Sequence, residues 1–231
     1  MVKEKVLSKE DSKKSKSIGK LVNSDKIFQF KITLDESRPK IWRRIMVPAD
    51  YSFFALHCAI QNAMGWTDSH LHAFYIQPAN RPTSDMITIE LPNPEGDDLF
   101  FPRNTRDERK EKIADYFGKI VKQCGYCYDF GDNWDHTVLF ERELERDYKA
   151  TYPKCVAGEN ACPPEDCGSI WGYSDLQKII KDPKHKEHKD MLKWLGINDP
   201  SEFNPNEFNL TDIDFEDPKK RLKEWNDGFR V

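Results

Sequence analysis

Imidazole, carboxylate and thiol groups define the chemistry open to this chain, and they gather most densely between Tyr126 and Tyr173. His70 and His72, together with Asp129, Asp132, His136, Glu165 and Asp166, mix imidazole with carboxylate. Such a set suits a hydrolytic divalent metal or proton exchange between an acid and a base. Asp129, His136, Glu165 and Asp166 are the candidate catalytic groups, and His70 and His72 are candidate metal ligands. A structural role competes with each. Asp132 suits a turn, Asp166 can bond its own loop backbone, and the two histidines can be half-exposed strand residues.

The thiols offer a second chemistry. Cys124 and Cys127 have the spacing of a metal knuckle, and Cys155, Cys162 and Cys167 can complete a tetrahedral thiolate site for zinc, the one cofactor that the residues suggest. Against this, Tyr126, Tyr128 and Phe130 carry a strand through Cys127, and residues three apart in a strand face opposite ways. Chelation would need a turn at Gly125. Buried thiols packing a loop are the alternative. A third group, Lys40, Trp42 and Arg44, sets an aromatic between two cations. It is a stacking platform for an unpaired base or a peptide, unless a later helix covers Trp42 and the cations snorkel at its edge.

The elements that must position these groups are legible from periodicity. Phe28, Phe30, Ile32 and Leu34 alternate with polar residues, as a half-buried strand does. Ile41, Ile45 and Val47 mark the core face of a second strand and take Arg43 with them, so Arg43 needs a carboxylate partner, from the hairpin or from Glu165-Asp166. Asp50 or Ser52 caps a helix holding Phe53, Leu56, Ile60 and Ala63, and Gly65 stops it. His70, His72, Phe74 and Ile76 share one face of a strand. A loop from Pro78 to Pro102, with a short strand near Ile87, leads to a charged stretch, Arg103 to Lys112, that suits a solvated helix face.

The stretch from Tyr126 through Gly131-Asp132-Asn133 to His136 is a β-hairpin. An even-membered loop there sets Asp129 opposite His136 and raises the imidazole's pKa. The Cys/Pro segment that follows, Cys155 to Gly168, is too interrupted for a regular element. Ser174 caps a helix, Pro183 opens another that Gly196 ends, and Asp217-Pro218 starts a last one. Strands first and helices last predict an α+β fold, a mixed or antiparallel sheet roll packed by helices with a helical C-terminal part.

The chain's 231 residues suffice for one domain with appendages, and its formal net charge of -4 argues against general salt-driven binding to nucleic acid. No run approaches the ~18 apolar residues of a membrane helix. Residues 1–25 carry seven lysines against four acids and little apolar bulk. They predict a disordered tail with no h-region of a signal peptide, ahead of one domain at 26–231. Without export, the six cysteines are reduced thiols or metal ligands in a cytoplasmic protein.

The chain resembles the plasmid pRiA4b ORF-3-like family. The resemblance rests on Ile41-Trp42-Arg43-Arg44-Ile45, on Gly65-Trp66-Thr67-Asp68-Ser69-His70-Leu71-His72-Ala73-Phe74, and on Tyr128-Asp129-Phe130-Gly131-Asp132-Asn133-Trp134-Asp135-His136. Ala161-Cys162-Pro163-Pro164-Glu165-Asp166-Cys167-Gly168 and the segment from Asp182-Pro183 to Trp194-Leu195-Gly196 also match. It implies a compact α+β roll met on plasmids and near mobile elements, and it brings no established activity. Three functions stay open. The preferred one is a non-catalytic binding module for protein or single-stranded nucleic acid. A metal-dependent hydrolase or nuclease using His, Asp and Glu is the second, and a zinc-stabilised structural module is the third. The chain lacks a phosphate-binding Gly loop, a nucleophile elbow and a metalloprotease helix.

Overall fold

A computed structural model describes residues 25–92 and 104–228, the last three without their side chains. All but the last residue of the expected tail at 1–25, and residues 93–102 of the loop from Pro78 to Pro102, lie outside the described residues. Alternation builds β1 (Lys26–Leu34) and β2 (Trp42–Pro48), which pair antiparallel with Phe30 opposite Ile45 and Ile32 opposite Arg43. Helix α1 (Phe53–Met64) starts where the Ser52 side chain accepts from the Ala55 N–H, and it ends at Gly65 in the left-handed region, φ 93°. Nearly every residue of α1 is buried, so it is a core helix rather than a surface one.

The remaining strands are β3 (His72–Ile76), β4 (Ile87–Glu90), β5 (Thr105–Asp107), β6 (Gln123–Tyr128), β7 (Trp134–Glu145) and β8 (Lys154–Glu159). They complete an eight-stranded sheet of order β5-β4-β3-β6-β7-β1-β2-β8, antiparallel except at the β4/β5 pair. A short helix α2 (Ile113–Tyr116) precedes β6, and α3 (Ser169–Lys181), α4 (His188–Leu195) and α5 (Pro218–Gly228) form the helical C-terminal part. The fold is α+β. One face of the sheet carries Phe28, Phe30, Ile32, Val138, Tyr126 and Phe74 into a single buried cluster against α1. Each such side chain contributes roughly 1.5–3 kcal/mol by leaving water.

Four elements differ from expectation. The Cys/Pro segment is regular at its start, because Cys155 to Glu159 belong to β8 and pair antiparallel with β2. Residues 104–112 do not form a solvated helix: β5 extends the sheet edge, and the turn after it buries Glu108 completely. Helix α3 begins at Ser169 rather than Ser174, because Gly168 at φ 87° turns the chain sharply into it. The third strand begins at His72, so His70 lies in the preceding loop and does not share its face.

The hairpin register also differs. Tyr128 pairs with Trp134, leaving the odd-membered loop 129–133. Asp129 and Asn133 both take left-handed backbone, φ 58° and 53°, and the Asp129 carboxylate accepts the Gly131 N–H at 2.8 Å. Asx residues tolerate this geometry, so the loop closes with five residues. His136 therefore faces Tyr126, not Asp129, and lies in the core at 1% exposure. With no carboxylate beside it, burial pushes its pKa down to about 4.

The neutral form is thus the native one. Unfolding lets His136 take a proton below its ordinary value of 6.5, so its contribution is present above 6.5 and is lost as pH falls toward 4. At about 1.4 kcal/mol per pH unit, that interval is worth roughly 3 kcal/mol. NMR titration should find His136 near pH 4 and unmoved by Asp129→Asn, and a pKa at or above 6.5 would refute this placement. A second expectation concerns Gly172, where a Cβ would come within 2.0 Å of the Cys167 carbonyl oxygen. Alanine gains ~1 kcal/mol of helix propensity, but overpacking against backbone costs ~1–3 kcal/mol. Gly172→Ala should lower the melting temperature, and a raised one would mean that the loop yields freely.

Candidate functional site

Three loops meet at one end of the sheet. They are the segment 65–71 between α1 and β3, the hairpin loop 129–133, and the segment 160–168 between β8 and α3. Trp66, buried at 5% exposure, stacks on Tyr128 at 5.0 Å and donates its indole N–H to the Pro163 carbonyl at 3.0 Å. Glu165 accepts the Thr67 N–H at 3.1 Å and the Tyr128 hydroxyl at 2.5 Å, and also binds the Thr67 hydroxyl. Burial and the Glu165 carboxylate together hold the Tyr128 phenol well above its ordinary pKa. Asp132 accepts the Gly168 N–H at 3.0 Å. Glu165 with both oxygens and Asp132 with one therefore bind the loops to one another.

His70, Asp129 and Asp166 are engaged differently. The His70 Nε2 lies 2.9 Å from Asp166 Oδ1 and 3.7 Å from Asp129 Oδ2. Although 2.9 Å is close enough for a hydrogen bond, Nε2 makes none of acceptable direction, and it is shielded from solvent. Distance alone overstates that pairing. One donor atom from each of the three residues lies within 4.8 Å of the others. Asp129 and Asp166 both hold left-handed backbone, φ 58° and 59°, which aims two loop carboxylates at one imidazole. Among the described residues no Lys or Arg pairs with either aspartate.

The other expected groups are dispersed. His72 faces the core from β3, His136 is a neutral core residue, and Glu165 is a loop clamp. Cys124 and Cys127 point to opposite faces of β6, since the strand runs straight through Gly125. Among the described residues no cysteine joins a group of three metal-donor side chains, so Cys124, Cys127, Cys155, Cys162 and Cys167 do not assemble a tetrahedral thiolate site. Burial raises all five thiols, Cys127 and Cys167 to about 12. They pack as neutral groups.

Lys40, Trp42 and Arg44 lie on or beside the outer face of the sheet. Lys31 Nζ sits 4.5 Å from the centroid of the half-buried Trp42 ring, with Arg44 Cζ at 5.2 Å. The indole N–H donates to Glu159, and Arg44 forks onto Glu141 at 2.7 and 2.8 Å. Lys40 is exposed. Among the described residues no carboxylate pairs with Arg43, contrary to expectation. Its guanidinium donates instead to the carbonyls of Ala63, Trp42 and Glu159, under the ring of Phe208 at 4.3 Å. Burial alone pulls its pKa below the ordinary value.

A second cluster was not legible in the sequence. His57 and His72 stack face to face, ring centroids 3.4 Å apart. His57 Nε2 meets Asp68 at 2.7 Å, its Nδ1 meets the Tyr126 hydroxyl at 2.8 Å, and His72 Nε2 meets Glu108 at 2.8 Å. Burial, then the neighbouring His72, lowers the His57 pKa. Burial opposes the charge on His72 as well, yet Glu108 outweighs it and the pKa ends raised. The two stacked rings are thus pushed apart, His57 toward the neutral form and His72 toward the charged one. One donor atom each from His57, Asp68 and His72 also lies within 4.8 Å of the others, but the two rings are parallel, so their in-plane lone pairs lie in separate planes, and both His57 nitrogens are already bonded. This set is a polar core network. Of its members only His72 stood out in the sequence, as a candidate metal ligand; His57 lies in a helix interior, Asp68 in a loop and Glu108 within a charged run, and no local spacing joins them.

The sequence profile described as plasmid pRiA4b ORF-3-like protein matches residues 26–212, a span that holds both clusters. The uncharacterized protein y4hQ of Sinorhizobium fredii is 34% identical over 174 residues, covering 75% of this chain and 82% of that relative. The crystal structure of a protein of unknown function, MM3350 from Methanosarcina mazei Go1, aligns with a TM-score of 0.70 at 38% identity. That alignment covers 82% of this chain and 98% of the other. With the family profile matched over residues 26–212 and a relative 34% identical over most of both chains, the chain belongs to the plasmid pRiA4b ORF-3-like family.

Proposed function

We propose that the chain is a binding module organised around a divalent cation held by His70, Asp129 and Asp166, through which it engages a protein partner. The observation that carries this reading is the convergence of one imidazole nitrogen and two carboxylates that no Lys or Arg among the described residues neutralises. Two carboxylates that close, with no Lys or Arg among the described residues beside them, repel each other, and a divalent ion relieves the repulsion. One nitrogen and two oxygens suit zinc or manganese. Three protein donors leave positions open to water or to a partner's carboxylate. Leu71 and Phe130 flank the site, exposed at 65% and 40%. They supply apolar contact beside the ion.

The catalytic alternative would place a metal-bound water at the same open position. The neighbouring acids count against it, because Glu165 and Asp132 are occupied as loop clamps rather than poised as bases. A single-stranded nucleic acid meets a site rich in carboxylates, and the Trp42 ring already carries Lys31 and Arg44. A plasmid or mobile-element setting rests on the family description alone.

Chelator-treated protein titrated with Zn2+ or Mn2+ by calorimetry should bind one ion per chain. Asp129→Asn and Asp166→Asn should each weaken it about tenfold or more, as loss of a ligand does. Unchanged affinity in both variants would dispose of the site. Ion binding that survives both but is lost on thiol alkylation would restore the zinc-module reading, and metal-dependent phosphodiester cleavage by wild type would favour the hydrolase.

A further inference from the structure

Arg43 poses a separate problem. It is 3% exposed, yet among the described residues no acidic side chain lies within ion-pair distance of it. Carbonyls of Ala63, Trp42 and Glu159 take the Nε and Nη1 hydrogens, and among the described residues no acceptor serves Nη2. An isolated buried charge is costly. Carbonyl dipoles offset part of that cost and supply no counter-charge.

Arg43 lines a cleft of about 560 Å3, walled by α1's last turn, the Cys/Pro loop and the segment 202–213. Phe208 covers the guanidinium face, which leaves its edge as the direction of approach. The sequence keeps that ring in place with Gly158, where a Cβ would come within 2.5 Å of Phe208. Phe203 and Ile213 add apolar wall, while Glu207 and Asp212 stand exposed on the rim. Neither rim acid forms an ion pair among the described residues. A buried cation thus faces a rim of unpaired acids across an apolar floor.

We propose that this cleft binds a zwitterionic α-amino acid with an apolar side chain. The ligand's carboxylate meets the Arg43 Nη2 edge, its ammonium group faces Glu207 and Asp212, and its side chain lies against Phe203 and Ile213. A simple anion satisfies Arg43 but meets the rim acids with like charge. A simple cation satisfies the rim and leaves Arg43 unpaired. The zwitterion satisfies both, and the pocket has the mostly apolar lining with a few converging polar groups that small-molecule sites share.

The twenty free amino acids at millimolar concentration, assayed by thermal shift and calorimetry on the full chain, provide the test. At least one apolar amino acid should bind, and its carboxamide and its N-acetyl derivative should each bind at least about tenfold more weakly. The double variant Glu207→Gln, Asp212→Asn should weaken the free acid but leave the N-acetyl form unchanged, and Arg43→Lys should weaken both. Should Arg43→Lys fail to fold, the derivative panel on wild type still decides. No binding across the panel overturns the proposal, as does a carboxamide that binds as well as the acid. Asp129→Asn, which removes a cation ligand, should leave amino-acid binding unchanged, so this site and the cation site stand or fall separately.

Discussion

The Tyr126 hydroxyl, at the centre of the apolar core, is the constraint to which the surrounding elements conform. It receives a hydrogen bond from Gln61 at 2.9 Å and bonds His57 Nδ1 at 2.8 Å, so α1 presents two polar side chains inward where a core helix would ordinarily be apolar. Each of those groups needs a partner, since an unmatched buried polar atom costs ~1–3 kcal/mol. His57 finds Asp68, Asp68 finds Arg221 of α5 at 3.2 Å, and His72 under His57 finds Glu108. One hydroxyl thereby dictates side chains on α1, β3, the turn after β5 and α5. Asp68 reaches both partners from left-handed backbone, φ 62°, so the network also fixes the loop that carries it.

That loop sets the functional end of the molecule. With Asp68 held from below and Trp66 inserted against Tyr128, His70 has little freedom and emerges beside the hairpin. The hairpin is equally constrained, because Asp129 N–H donates to the Leu71 carbonyl at 2.8 Å and the Asp129 side chain closes its own turn. A candidate cation site built on loops therefore has the rigidity ordinarily lent by helices and strands, through the buried polar groups behind it.

The parts legible in the sequence were those governed by local periodicity or backbone chemistry. The alternation in β1, the Ser52 cap and the Gly65 stop of α1 needed no knowledge of the rest of the chain. Arg43 on the core face of β2 was equally visible, yet its partners were not, since three carbonyls from separate segments leave no trace in spacing. The hairpin misled for a sharper reason. Gly131-Asp132-Asn133 suits several loop lengths, and one residue more or less moves every later side chain to the other partner. His70, Asp129 and Asp166 were legible as types but not as a trio. His57 and Glu108 were invisible, because burial of a charged residue is decided by what covers it and not by its neighbours in sequence.

The Cys/Pro loop joins the two proposed sites and bears on whether they communicate. Cys162 lies in the cleft beside Arg43, and Asp166 reaches His70, with Pro163, Pro164 and Glu165 between them. Coupling through such a segment requires two arrangements of comparable free energy, each favoured by one ligand. This segment is anchored to Trp66 at Pro163, to Thr67 and Tyr128 at Glu165, and to Asp132 at Gly168. Shifting it would break all of these bonds together, the buried Trp66–Pro163 bond among them, with two prolines further limiting the backbone. A second arrangement is therefore remote in energy, and the loop acts as a rigid wall shared by two independent sites rather than as a switch between them.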